Sequence, residues 1–285
     1  MAYIIDVANA KGGVGKTTTT ANVGASLAAL GRRVLLVDTD PQASLTVVCD
    51  RMGMALQTHR HLWALLEQLV EGKTPPPVVG EHIVSTTGYN GVWLLPATLD
   101  LLLADSRLLE ARAREYFLRE LLEQVEDEYD YILLDSKPAL GILPTNGLVA
   151  AQWVLLPMQA EEMAKQGLAI MLNDMLEVRR RLNRQLQVLG VVLTLYNERH
   201  KVDRQILAEM EAAVSGAGQY FFHTVIPERQ ELVQASGARK AVRVFRPDGT
   251  AARAYDALAL EIMQRVGDPA GQDVAPQKET EVQDE

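Results

Sequence analysis

The sequence predicts a single-domain α/β fold: a mostly parallel, twisted β-sheet with helices on both faces. Three observations predict it. Short, almost wholly apolar runs alternate with longer amphipathic stretches along most of the 285 residues, as strands covered on both faces and joined by helical crossovers must do. A glycine-rich segment, Lys11-Gly12-Gly13-Val14-Gly15-Lys16-Thr17-Thr18, separates the first apolar run from the first amphipathic stretch. Two later apolar runs end in aspartates, Asp38 and Asp135, at the strand ends where open α/β sheets bind ligands.

In chain order, the apolar runs place strands at residues 3–8, 33–37, 92–95, 131–134, 153–157, 188–195 and 221–226. Several are apolar throughout, which suits burial on both faces. The amphipathic stretches place helices at 16–30, 99–126, 164–184, 202–215 and 250–266. Thr74-Pro75-Pro76-Pro77 reads as a surface loop. The folded domain is expected over residues 1–266. The stretch 267–285 is polar, acidic and Pro/Gly-bearing, and a disordered tail is expected there.

Composition narrows the class. With 48% hydrophobic and 23% charged residues the chain is an ordinary globular sequence. No apolar run approaches the roughly 20 residues that cross a bilayer. The segment Met1–Asp6 lacks the basic n-region of a signal peptide. One cysteine, Cys49, excludes an internal disulfide and an all-cysteine metal cluster from one chain. A cytoplasmic protein is expected. The net charge of −9, from 28 basic and 37 acidic residues, argues against a generally basic nucleic-acid binder. Charge is uneven, however: Arg239, Lys240, Arg243, Arg246 and Arg253 face only Asp248 across residues 236–253.

The glycine-rich segment carries the chemistry. Read from Ala10, it fits G-x-x-x-x-G-K-[ST] with Ala10 in place of the first glycine. Gly12, Gly13 and Gly15 let backbone N–H groups turn inward without a Cβ clash. Those groups and the N-terminus of the next helix cradle phosphate oxygens. Lys16 is placed for the β- and γ-phosphates and Thr17 for Mg²⁺. An apolar strand ending in Asp135 has the form that holds Mg²⁺ through water. ATP with Mg²⁺ is the expected ligand.

The segment K-G-G-V-G-K-T-T, with its second lysine Lys11, resembles the deviant Walker A box of the ParA/MinD/nitrogenase-iron-protein group of P-loop NTPases. The resemblance implies that Lys11 reaches across a nucleotide-sandwich homodimer to the partner's phosphates, neutralising charge on the phosphoryl oxygens. The run Asp38-Thr39-Asp40-Pro41-Gln42 resembles the D-x-D-P-Q box of ParA-type ATPases. By that resemblance Asp38 sits near the Mg²⁺ shell and Asp40 positions the attacking water. The family usually has Asp-x-Pro-Pro where this chain has Asp135-Ser136-Lys137-Pro138. Lys137, near the site, could lower the local negative charge, touch nucleotide or face the partner; a solvated loop lysine is the favoured reading.

Several local features separate the relatives. One cysteine cannot supply the cluster of the nitrogenase iron protein. The stretch 250–266 has few basic residues, unlike the basic membrane-binding helix of MinD-like proteins. Strand one begins at Tyr3, so the small ParA form without an N-terminal DNA-reading domain is expected. Thr194-Leu195-Tyr196-Asn197-Glu198-Arg199 resembles a strand-end segment of Soj/ParA proteins, and His223-Thr224-Val225-Ile226-Pro227 resembles their T-x-I-P box, which puts Pro227 close to the adenine. Arg199 matches a family DNA-binding position. A second such arginine is replaced by Glu228, with Arg229 next to it. Lys240 matches a family lysine, and Arg239, Arg243 and Arg246 enrich the same region.

The resemblance implies an ATP-sandwich homodimer that binds double-stranded DNA without sequence preference. A ParB-like partner then stimulates slow hydrolysis and releases the dimer. The job implied is chromosome or plasmid segregation, nucleoid-associated in the cytoplasm and without a membrane. Alternatives are a ParA-like ATPase positioning a protein cargo such as an organelle or chemosensory array, a MinD-like membrane-cycling regulator, and a module that holds ATP without turnover.

Overall fold

Each apolar run expected as a strand, except the last, forms one. In the computed structural model, residues 1–50, 59–86, 88–138, 141–161, 164–197, 199–213 and 220–272 are described. The strands are β1 (Tyr3–Val7), β2 (Val34–Asp38), β3 (Val84–Ser85), β4 (Val92–Leu95), β5 (Tyr131–Asp135), β6 (Trp153–Met158) and β7 (Gln187–Leu193). They form one sheet in the order β3-β4-β2-β5-β1-β6-β7. Only the β3–β4 pair is antiparallel; the other pairs are parallel. The chain leaves β1 towards β2 on one side and later reaches β6 on the other. The end of β1 is therefore a topological switch point, where a ligand crevice opens.

The labelled helices are α1 (Lys16–Ala29), α2 (Ser44–Cys49), α3 (Leu62–Val70), α4 (Phe117–Glu123), α5 (Ile142–Ala150), α6 (Ala164–Arg181), α7 (Lys201–Ala213), α8 (Gln230–Gly237), α9 (Val242–Phe245), α10 (Thr250–Val266) and α11 (Pro269–Gln272). Alternate residues of one strand feed opposite faces, as the two-residue period requires. Ile5 and Val7 join a core with Val23 and Leu27 of α1 and Leu258 and Ile262 of α10. Ile4 and Ala8 join a second core with α3, α4, α5 and α6, through Leu65, Leu121, Leu148 and Met171. β2 and β5 are buried at every residue, which is why their sequences do not alternate.

Two elements differ from the sequence expectation. The stretch 99–126 is not one helix. It breaks into short turns at Leu99–Leu103, Ala104–Arg107, Leu108–Glu110 and Arg114–Tyr116 before α4 begins. Leu101, Ala104 and Leu108 are buried, and so are Phe117, Leu118 and Leu121. Nothing between Leu108 and Phe117 is fully buried and only Ala111 and Tyr116 pack partly on the core, which is little support for a helix there, and Ala113 takes a positive φ of 53°. The run 221–226 is not a strand. Phe221 touches β7 through an isolated bridge to Val191, and Pro227, just past the run, bridges to Tyr196 beyond the end of β7. Between them the N–H groups of His223 and Thr224 donate to the Glu261 carboxylate at 3.0 and 3.2 Å, which removes them from any ladder.

The sequence reading did not resolve helices α2, α3, α5 and α8, which are short and lie between the stronger signals. Order also extends past residue 266, against the expected tail boundary. Gly267 closes α10 in the left-handed conformation. Asp268 then accepts the Tyr131 hydroxyl at 2.7 Å and pairs with Arg32. The remainder of the expected tail, residues 273–285, lies outside the described residues.

Candidate nucleotide site

The turn between β1 and α1 is tied down from the ends of β6 and β7. Asn9 donates to the Pro157 carbonyl at 2.8 Å and accepts the Lys11 N–H at 2.9 Å. Gln159 donates to the Gly13 carbonyl at 3.2 Å. Thr194, just past β7, donates to the Val14 carbonyl at 2.7 Å. Gly13 and Gly15 have φ of 77° and 83°, values that favour glycine, and Gly15 is the N-cap of α1. The helix N-terminus thus opens onto the cleft with its first N–H groups unspent, a ready anion site.

The side chains expected at the phosphates converge here. Lys16 curls back, its Nζ donating to the Lys11 carbonyl at 2.9 Å. Burial pulls its pKa down, while Asp135, Asp40 and Asp6 pull it up. Thr17 donates to Asp135 Oδ2 at 2.7 Å. A hydroxyl and a carboxylate in contact at a strand end are hard oxygen donors that suit Mg²⁺ held partly by water and phosphate. Thr18 and Asp40 line the same cleft of about 560 Å³, with Gly12, Gly13 and Lys240 on its walls.

Asp38 and Asp135 are register partners on adjacent parallel strands. Burial raises the pKa of both carboxyls, and each is raised further by a neighbouring carboxylate. A divalent cation beside Asp135 would relieve that repulsion. Asp38 is fully buried. Its Oδ2 accepts both the N–H and the hydroxyl of Thr46, at 2.8 and 2.7 Å, and its Oδ1 accepts the Asp40 N–H at 3.1 Å. Asp38 therefore shapes the turn that carries Asp40. Asp40 faces the open cleft, its Oδ1 accepting the Gln42 N–H at 2.9 Å.

Lys11 does not reach the phosphate cleft within its own chain. Its ammonium pairs with Glu161 beyond β6. Sequence reasoning missed Glu161, Asn9, Gln159, Thr46 and Thr194 as parts of the site. Four of them follow or begin short polar segments at strand ends, which is the only signal the sequence carries. Lys137 is not a solvated loop lysine either: its Nζ donates to Asp105 Oδ2 at 2.6 Å and its side chain is 14% exposed.

The expected adenine contact and DNA contacts fall into three places. Pro227 borders a second cleft of about 490 Å³ together with Tyr196, Asn197, Arg199 and Arg229. It is not on the wall of the phosphate cleft, because the bridge from Tyr196 to Pro227 continues past the end of β7. Lys240 lines the phosphate cleft, one residue after Arg239, which has a φ of 52°. Arg243 pairs with Asp256 of α10, whose other oxygen accepts Ser26 of α1 at 2.7 Å. Arg246 is 67% exposed and lies 3.8 Å from Glu231. Arg243 is thus a clamp between α9 and α10, while Arg246 projects outward.

A family model described as an AAA domain matches residues 2–188. The chromosome-partitioning ATPase Soj of Thermus thermophilus is 40% identical over 263 residues, covering 92% of this chain and 96% of that protein. The sporulation initiation inhibitor protein Soj of Bacillus subtilis is 36% identical over 266 residues, covering 92% and 98%. Among solved structures, a cobyrinic acid a,c-diamide synthase of Mycobacterium smegmatis with a bound ATP analogue and magnesium superposes with a TM-score of 0.76. It is 32% identical and covers 94% of this chain and 97% of that one.

Proposed function

Since the chain belongs to the ParA/Soj family of P-loop ATPases, we propose that it is an ATP-driven partition switch. It binds ATP with Mg²⁺ at the turn between β1 and α1. Lys16 and the α1 N-terminus hold the phosphates, and Thr17 and Asp135 hold the metal. Asp40 aligns the attacking water, since phosphoryl transfer is mainly positioning and charge stabilisation. Bound Mg²⁺ supplies the charge that neutralises the β- and γ-phosphate oxygens. The base extends towards the second cleft at Pro227.

In this proposal two ATP-loaded copies join, each Lys11 leaving Glu161 for the other copy's phosphates. The dimer binds double-stranded DNA without sequence preference, through Arg199, Arg229, Lys240 and Arg246. A ParB-like partner stimulates hydrolysis and returns the monomer. The job is chromosome or plasmid segregation on the nucleoid. The observation that carries it is the pair of lysines, Lys11 and Lys16, on one tethered loop beside the Thr17–Asp135 contact. Against membrane cycling, the apolar face of α10 is already buried against the sheet and α1, at Tyr255, Leu258 and Ile262, and no described helix is long and apolar enough to cross a membrane.

The test is DNA binding by fluorescence anisotropy with ATP, ADP or no nucleotide, on two unrelated duplexes across a salt series. Binding that needs ATP, ignores sequence, weakens with salt and is lost in Lys16→Ala and reduced in Arg246→Glu supports the switch. ATP binding with no DNA retained at low salt removes the DNA arm and leaves the nucleotide site.

A further inference from the structure

Behind the phosphate turn, on the sheet face opposite α1, lies a separate cavity of about 210 Å³ between β1, α5 and α6. Asp6 of β1 closes its inner end and is 1% exposed. Its Oδ1 accepts the Ser136 hydroxyl at 2.6 Å. Its Oδ2 is buried, and no donor among the described residues reaches it. Asp174 of α6 lines the same cavity, and its Oδ2 is likewise buried without a donor among the described residues.

The other charges on the cavity wall are already matched. Lys137 is held by Asp105, and Glu177 by Arg180 and Arg181. Two carboxylates line one cavity, each with a buried oxygen that has no donor among the described residues, and a buried acceptor without a donor bears its whole desolvation cost. Met171 and Val178 supply an apolar wall beside them. No group of three His, Cys, Asp or Glu able to hold a metal ion occurs among the described residues, so a metal ion does not suit the arrangement. A guanidinium brings five donors and an ammonium three, with no acceptors, on a stem that packs along apolar side chains.

We propose that this cavity binds an organic cation, an alkylguanidinium or alkylammonium group whose head is held by Asp6 and Asp174 and whose stem lies along Met171 and Val178. The cation comes either from a free small amine or from an arginine or lysine side chain of another protein. Asn9 and Ala10, which lead into the phosphate turn, border the same cavity, so its occupant sits directly behind the nucleotide site. The proposal does not depend on the partition reading.

The test titrates agmatine, and separately the tripeptide acetyl-Gly-Arg-Gly-amide, into the full chain by calorimetry at fixed ionic strength. Wild type, Asp6→Asn and Asp174→Asn are compared. Saturable binding that weakens about tenfold in each variant is expected. Agmatine binding alone assigns the site to a free amine, and binding of both assigns it to a side chain. Asp174 sits on the outer helix, so its variant decides the matter if Asp6→Asn does not fold. Absence of saturable binding by either probe, or affinity unchanged in the folded variants, overturns the proposal.

Discussion

The ammonium of Lys11 rests on the carboxylate of Glu161, 150 residues further along the chain. Both side chains are nearly half exposed, at 48% and 44%, so the pair contributes at most about 1 kcal/mol and is released easily. Lys11→Ala is therefore expected to keep ATP affinity within about threefold while losing partner-stimulated phosphate release. Glu161→Gln should leave the thermal midpoint unchanged and raise ATP-dependent self-association about fivefold, since about 1 kcal/mol of competition is removed. Light scattering with and without ATP reads the second effect. Unchanged association in Glu161→Gln would mean that the pair does not restrain Lys11.

Under the proposed function, Lys16 and Thr17 are expected to act on nucleotide rather than on folding. Lys16→Ala removes a charge-assisted contact of about 1.5–3 kcal/mol, so fluorescent ATP binding should weaken about tenfold or more. Thr17→Ala should lose the Mg²⁺ dependence of that binding, read as affinities that no longer differ with and without EDTA. An equal Mg²⁺ effect in wild type and Thr17→Ala would remove the threonine from the metal's shell.

Arg243 and Arg246 should separate cleanly. Arg243→Ala leaves Asp256 unpaired beside Ser26 and is expected to lower stability by about 1 kcal/mol, a midpoint shift of about 2–4 °C in calorimetry. Arg246→Ala is expected to leave the midpoint unchanged and to lower the salt dependence of ATP-dependent DNA binding by about one phosphate contact. The reverse pattern would exchange the roles assigned to the two arginines.

Asp6 makes stability depend on pH. Burial is the main cause of a pKa raised from 3.8 to about 7, against the opposing Ser136 hydrogen bond and the charge of Lys16. Because the folded value lies above the unfolded one, this group costs stability increasingly as pH rises from about 4, and the full cost is present above about 7. Three pH units correspond to about 4 kcal/mol. Asp6→Asn is expected to flatten that fall, read as urea midpoints at about pH 5 and about pH 8. Parallel falls in both proteins would show that another group titrates.

The strands were legible in the sequence because β2 and β5 are buried on both faces and so read as unbroken apolar runs. The phosphate turn was legible because glycine, lysine and threonine at that spacing have few other uses. The helix expected over 99–126 was misjudged because its apolar spacing persists from Leu109 to Tyr116, where no residue is fully buried and only Ala111 and Tyr116 pack partly on the core. The strand expected at 221–226 was misjudged because Glu261, on a distant helix, takes the N–H groups that a ladder would have used.

The α/β class, six of the strands, the phosphate turn and the aspartates that end β2 and β5 follow from the sequence, since each is a local pattern of residue types. Only the tertiary structure decided what those groups touch. It bonded Asp38 to Thr46, gave Lys11 to Glu161 and Lys137 to Asp105, made Arg243 a clamp, and put Asp6 and Asp174 on the wall of one cavity. Lys11 and Glu161 lie 150 residues apart and Lys137 and Asp105 lie 32 apart, and even the nearer partners are chosen by how the sheet and helices pack, which no local spacing records.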